Sequence, residues 1–224
     1  MSFAPKLESL PAPQRKLWPE LKQVPRHFVL YGGTALALRL GHRQSMDFDF
    51  FSSRPFVPSE LLKSLPLLAD AEAMQQSANT LNVTVRRGGE VKLQFLGGLG
   101  MGRVVDPDLT SDKVALVASL YDLAATKMKA IWDRGAAKDY LDIHALLVNG
   151  VPLAEALSAA QAVYGEQFNP MISLRAMGDF SDGDLPSLSA EVKRVLSNAA
   201  GRTCLDTLPT MSRLPGGIVP AGKR

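Results

Sequence analysis

Tyr31-Gly32-Gly33-Thr34-Ala35-Leu36, followed by a short run and then His42-Arg43-Gln44-Ser45-Met46-Asp47-Phe48-Asp49-Phe50, is the stretch whose reading decides the fold. Ahead of it His27-Phe28-Val29-Leu30-Tyr31 reads as an apolar strand, and Thr34 through Leu40 reads as a helix. Gly32 and Gly33 therefore fall at a strand-to-helix turn. Amide groups at a helix start favour anions, and absent Cβ atoms let phosphate come close. Thr34 can cap the helix and offer a hydroxyl to the same anion.

The second half of the stretch supplies carboxylates. In an extended strand side chains alternate, so Asp47 and Asp49 share one face while Met46, Phe48 and Phe50 take the other. Two neighbouring carboxylates repel unless a cation lies between them. Mg²⁺ typically takes one or two protein carboxylates together with phosphate oxygens of a substrate, so the pair reads as a metal site for a nucleotide. Neither a Gly-Gly nor an Asp-x-Asp is specific alone; their order, with one helix between, makes the signal.

The pattern Gly32-Gly33-Thr34-Ala35-Leu36 with His42-Arg43-x-Ser45-x-Asp47-x-Asp49-Phe50 resembles the first motif of the AbiEii-type nucleotidyltransferases. These are the toxins of type IV toxin-antitoxin pairs, within the DNA polymerase β-like superfamily. Leu123-Ala124-Ala125-Thr126-Lys127-Met128-Lys129-Ala130, then Arg134, then Lys138-Asp139-Tyr140-Leu141-Asp142-Ile143, is similar to that family's helical motifs. The matches span roughly residues 27–147. The resemblance implies an α+β fold, a polymerase β-like mixed sheet with helices followed by a helical C-terminal part. It implies Asp47 and Asp49 as metal-holding catalytic carboxylates, Gly32, Gly33 and Thr34 at the triphosphate of a nucleoside triphosphate, and Lys127 and Asp139 as further catalytic residues. Arg43 and Ser45 match the motif: Arg43 can contact the phosphates or the acceptor, as can His42, for which a structural role competes, and Ser45 either touches the nucleotide or braces the turn. An RNA acceptor, plausibly the tRNA 3′ end, and a cognate antitoxin belong to the same implication.

One position departs from the superfamily pattern. The strand Val91-Lys92-Leu93-Gln94-Phe95 carries Gln94 where a third carboxylate ordinarily helps activate the attacking hydroxyl. Glutamine cannot act as a base. A transferase on a small molecule or a protein, and a catalytically inert nucleotide-binding module, therefore stay beside the toxin reading.

Composition sets bounds. The chain has 224 residues, 46% of them hydrophobic, enough for one core or two adjoining ones. The single Cys204 forms no internal disulfide, and Met1 to Pro13 is too interrupted by prolines and charges for a signal peptide. Val114 to Trp132 is apolar but carries Asp122, Lys127 and Lys129, so it reads as an amphipathic helix and a cytoplasmic protein is expected. Four basic residues and one acidic residue beyond position 200 account for the net charge of +3, leaving 21 of each sign before them. Global charge therefore gives no RNA signal, and any nucleic-acid site must be local.

The remaining elements follow from periodicity and punctuation. Leu10 to Val24 reads as one helix despite Pro19, Ser59 to Leu65 as a capped helix, and Thr80–Val85 with Val91–Leu96 as a hairpin. From Asp112 on the apolar spacing is helical, with Lys127 either snorkelling at the core edge or pointing into the cleft. Asp142 shares a face with Asp139, and an acidic first turn of the helix competes with a functional role for it. Further helices are read at Leu153–Tyr164 and Leu188–Ala199, with loops between. The expected organisation is a transferase core over 1–110, a helical domain over 111–200 and a disordered tail over 201–224.

Overall fold

The structure, a computed structural model, describes residues 2–219. Two compact units divide it: one of residues up to 101, 106–119 and from 215 on, the other of 102–105 and 120–214.

In the first unit the strands are β1 (Ser2–Phe3), β2 (Val29–Tyr31), β3 (Asp47–Phe51), β4 (Glu72–Ser77), β5 (Thr80–Arg86), β6 (Glu90–Leu96), β7 (Asp108–Thr110) and β8 (Leu116–Val117). They form one mixed sheet of order β1-β7-β8-β2-β3-β6-β5-β4 among the described residues. Its helices are α1 (Ala12–Leu17), α2 (Gly32–Leu40) and α3 (Pro58–Ser64). Strand β3 sits near the middle, antiparallel to β2 and parallel to β6. The hairpin of β5 and β6 forms as the sequence predicts, turning at Gly88 with a positive φ.

Alternation along β3 sets the two faces of the sheet. Phe48 and Phe50 are buried; Phe50 stacks on Phe95 with ring centroids 5.2 Å apart, and Phe48 lies 6.2 Å from Trp18. Asp47 and Asp49 face the other way and stay partly exposed. Met46 departs from the expectation: it precedes the strand and is 62% exposed. The Trp18 indole donates to Asp112 Oδ2 at 2.7 Å, which satisfies a buried N–H.

Other readings are corrected by local chemistry. Pro19 divides Leu10–Val24 into α1 and a 3-10 turn, Trp18–Gln23, because proline has no amide to continue the α ladder. Helix α3 starts at Pro58 with no side-chain cap, so Ser59 does not cap it. Leu116 and Val117, read as helix, pair instead as β8 beside β2. Within the stretch expected as a tail, Ile218 is 1% exposed and its amide donates to Ser53 Oγ at 2.8 Å. Residues 220–224 of that expectation lie outside the described residues.

The second unit is helical: α4 (Leu120–Asp133), α5 (Ala137–Val148), α6 (Leu153–Tyr164), α7 (Pro170–Ala176) and α8 (Ala190–Arg202). Helix α4 packs against α5, α6 and α7, and its Leu123, Ala124, Met128 and Ile131 are buried. Helix α7 lies between the two stretches read as loop, Phe168–Pro170 and Gly178–Asp184; Asn169 caps it by accepting from the Met171 amide and Pro170 occupies its first position.

Replacing Phe50 by alanine removes a core ring and is expected to cost about 3–5 kcal/mol in chemical unfolding, while Met46→Ala stays within about 0.5 kcal/mol.

Candidate active site

The turn after β2 is built around a missing side chain. Gly32 has φ +74°, a conformation L side chains rarely adopt, and a Cβ placed on it would overlap Asp49 Oδ2 and lie 3.0 Å from its Cγ. The cross-strand register explains this approach, since Tyr31 pairs with Asp49 and the next residue turns over that carboxylate. Gly33 is covered differently: its Cβ position lies 2.6 Å from Arg43 Nη2 and 2.8 Å from Ser45 Oγ. The loop between α2 and β3 thus returns Arg43 and Ser45 to the glycine turn, and Arg43 Nη1 is tied to the Gln44 carbonyl at 2.8 Å. Helix α2 begins at Gly32, and its first amides have no acceptor within the helix.

Thr34 does something other than expected. Its side chain is fully buried and its hydroxyl donates to the Asp47 carbonyl at 2.5 Å, so it neither caps α2 nor presents its hydroxyl to an anion. It braces the start of β3 against the first turn of α2. The structure thereby gathers Gly32, Gly33, Arg43, Ser45, Asp47 and Asp49 around one turn, with Thr34 beneath as support.

On the β6 side of the carboxylates the sheet forms two rows. Asp47, Lys92 and Thr84 stand level across β3, β6 and β5, and Asp49, Gln94 and Asn82 form the row beside them. These side chains, with Met74 of β4, line an open depression of about 280 Å³. Gln94 is thus the neighbour-strand residue opposite Asp49, the position at which the sequence raised the question of a third acid. Among the described residues no group of three or more His, Cys, Asp or Glu could hold a metal by itself. Two carboxylates on one strand face beside a turn for phosphate still suit Mg²⁺, which completes its shell with substrate oxygens and water.

Lys127 and Asp139 belong to the helical unit, where they bond to each other. Lys127 Nζ lies 2.7 Å from Asp139 Oδ1 and 2.7 Å from Asp142 Oδ2, and both carboxylates are fully buried. Arg134 Nε donates to Asp139 Oδ2 at 2.8 Å from a guanidinium that is 56% exposed. Two cations and two carboxylates balance inside this set. Lys127 is therefore no snorkelling residue, and Asp142 sits a turn and a half into α5, paired with a cation and not serving as an acidic first turn. Burial raises the Asp139 carboxyl; the Arg134 hydrogen bond and the charge and hydrogen bond of Lys127 outweigh it and hold it below its ordinary 3.8. Lys129, by contrast, pairs with Asp133 near the surface and lies 4.3 Å over the Trp132 ring.

Residues 20–200 match the family described as nucleotidyl transferase AbiEii toxin, type IV toxin-antitoxin system. The chain belongs to the AbiEii family. The curated relative aq_aa25 of Aquifex aeolicus (strain VF5), an uncharacterised protein, is 34% identical over 122 residues, 54% of this chain and 57% of its own length. The chain therefore aligns with little more than half of that relative. A nucleotidyltransferase structure from H. pylori superimposes with a TM-score of 0.52 at 19% identity, covering 84% of this chain and 90% of the other. MenT4, a nucleotidyltransferase toxin of Mycobacterium tuberculosis H37Rv, gives 0.54 at 14% identity with the same coverages. At such identities the likeness is one of fold, and it establishes the nucleotidyltransferase architecture. No single helix among the described residues is long and apolar enough to cross a membrane.

In this AbiEii chain Asp122 is buried and accepts from the Val104 amide at 2.7 Å, and Lys92 and Asn82 lie on the sheet floor, roles that no local motif marks. Alternation alone puts Lys92 and Gln94 on one face of β6. Their alignment with Asp47 and Asp49 depends on register between distant strands, which has no local signal.

Gly32→Ala is expected to destabilise the AbiEii fold by about 1–2 kcal/mol from its positive φ alone and further by displacing Asp49. Gly33→Ala meets only the ends of Arg43 and Ser45 and costs less, a ranking thermal unfolding reads directly. Lys127→Met removes the cation that lies between two buried carboxylates, with an expected loss of about 3–5 kcal/mol in chemical unfolding. For Asp139 the unfolded chain binds the proton more readily than the folded unit. Its contribution is therefore complete above the unfolded carboxyl value and is lost as pH falls through the lower folded value. Unfolding measured across that acid window should show stability rising with pH, and Asp139→Asn should flatten the rise.

Proposed function

We propose that this protein transfers a nucleoside monophosphate from a nucleoside triphosphate to an RNA, the 3′ end of tRNA, in a Mg²⁺-dependent reaction. On this reading it is the toxin of a toxin-antitoxin pair, acts in the cytoplasm on growing cells and is restrained by an antitoxin encoded alongside. The observation that carries the proposal is the contact between the glycine turn and the carboxylate strand. An anion held by the first amides of α2 lies beside Asp49, so phosphate and cation sites are one site.

In the reaction the acceptor hydroxyl oxygen forms a bond to the α-phosphorus and the bond from that phosphorus to the bridging oxygen breaks. Pyrophosphate leaves along the line of attack. Gly32 and Gly33 position the triphosphate and Arg43 adds positive charge at the same turn. Asp47 and Asp49 would hold the Mg²⁺, which when bound would supply neutralisation of the phosphate charge. Gln94 has no basic group, so on this reading Asp139 orients or deprotonates the acceptor hydroxyl and Lys127 stabilises the negative phosphates. Lys127 and Asp139 enter the proposal on the family resemblance.

Gln94 opposite Asp49 favours one second reading, a nucleotide-binding module without catalysis. Incubation with Mg²⁺, each labelled nucleoside triphosphate in turn and total RNA separates the two. The transferase reading expects label in tRNA, reduced about 100-fold or more in Asp47→Ala, as loss of several kcal/mol of charge stabilisation requires. Label in no macromolecule, with nucleotide binding intact, would establish the second reading and end the first.

A further inference from the structure

Lys92 and Asp47 are opposite charges placed level on adjacent strands and on one sheet face, yet they form no ion pair. Among the described residues neither Lys92 Nζ nor the Asp47 carboxylate has a hydrogen-bond or ion-pair partner, although Lys92 is exposed and free to reach one. One row over, Asn82 donates its amide to Gln75 at 2.8 Å and leaves its Oδ1 buried with no partner. An unsatisfied buried acceptor is costly unless a ligand donor completes it. Beside the carboxylates of Asp47 and Asp49, the floor of the 280 Å³ depression thus presents one unpaired cation and one unfilled acceptor, with neutral Gln94 and Thr84.

A ligand that satisfies both carries a negative charge and a hydroxyl or amine donor within one residue's length, which describes a ribonucleotide of an RNA strand. Topology decides which substrate it is. Strand β3 has β2 and its glycine turn on one side and β6 on the other. Resting on the transferase reading above, pyrophosphate leaves toward the glycine turn, and in-line attack then brings the acceptor hydroxyl from over β6.

We propose that Lys92 is a specificity-determining residue that pairs with a backbone phosphodiester of the acceptor RNA next to its 3′-terminal nucleotide, with Asn82 Oδ1 accepting from the same strand. The nucleoside triphosphate, on the far side of β3, does not use Lys92. The asymmetry selects acceptors that carry a phosphodiester over small-molecule hydroxyls.

The test is direct binding of a short fluorescent single-stranded RNA with a free 3′ hydroxyl, and separately of a nucleoside triphosphate with Mg²⁺. Both are measured on the unmutated protein, Lys92→Gln and Lys92→Arg. Lys92 is exposed on its strand, so both variants retain the fold, which circular dichroism verifies. Lys92→Gln is expected to weaken RNA binding about fivefold and to lower the slope of log affinity against log salt by about 0.7, one phosphate contact on a single strand. Triphosphate affinity stays unchanged and Lys92→Arg retains both. Equal RNA affinity and salt slope in the unmutated protein and Lys92→Gln overturn the assignment, as does a loss confined to the triphosphate. If the protein binds no RNA, the assignment fails even where label transfers to a protein or small molecule. RNA bound through Lys92 without any transfer leaves the assignment standing while the transferase reading falls.

Discussion

The contact between Gly32 and the Asp49 carboxylate is the constraint on which the first unit's site depends. A backbone turn can lie against a carboxylate only where no Cβ intervenes and where φ is positive, and Gly32 meets both conditions. From that contact the rest of the turn follows. Helix α2 starts there, Thr34 reaches down to fix the Asp47 carbonyl, and Arg43 and Ser45 close over Gly33. An acidic strand and an anion-favouring helix start, which attract opposite charges, are thereby held in one place before any ligand arrives.

Such a site needs a rigid support, and β3 supplies it through its other face. Phe48 and Phe50 are buried against Trp18 and Phe95, so the strand cannot slip by one residue without exposing both rings and burying both carboxylates. The same alternation that makes a core on one side makes a charged surface on the other. Strand β6, in parallel register, extends that surface with Lys92 and Gln94, and β5 with Thr84 and Asn82.

The helical unit handles charge in the opposite way. Lys127, Arg134, Asp139 and Asp142 neutralise one another, and their hydrogen bonds offset the desolvation that burying carboxylates involves. On the sheet, by contrast, the carboxylate of Asp47 and the ammonium of Lys92 make no pair among the described residues. Paired charges hold a unit together; unpaired charges facing a depression are available to a ligand. The contrast is local, since the chain before position 200 is electrically balanced.

Much of this was legible in the chain. The glycine turn, the Asp-x-Asp alternation, the hairpin over Thr80–Leu96 and the helix Leu153–Tyr164 each depend on residues close in sequence, whose periodicity and turn chemistry act locally. Distance along the chain hid the rest. Leu116 and Val117 looked helical because their apolar spacing fits either element, and the free edge of β2 made them a strand. Thr34 looked like a cap until the Asp47 carbonyl, thirteen residues on, claimed its hydroxyl. For Asp142 an acidic first turn and a functional role stood side by side, and Lys127 from another helix pairs with it. The sequence by itself determined the family, the turn and the acidic strand, because those are local patterns. Only the tertiary structure decided which charges are spent on one another and which stand unpaired on a sheet face, because that depends on strand register and helix packing between residues far apart in the chain.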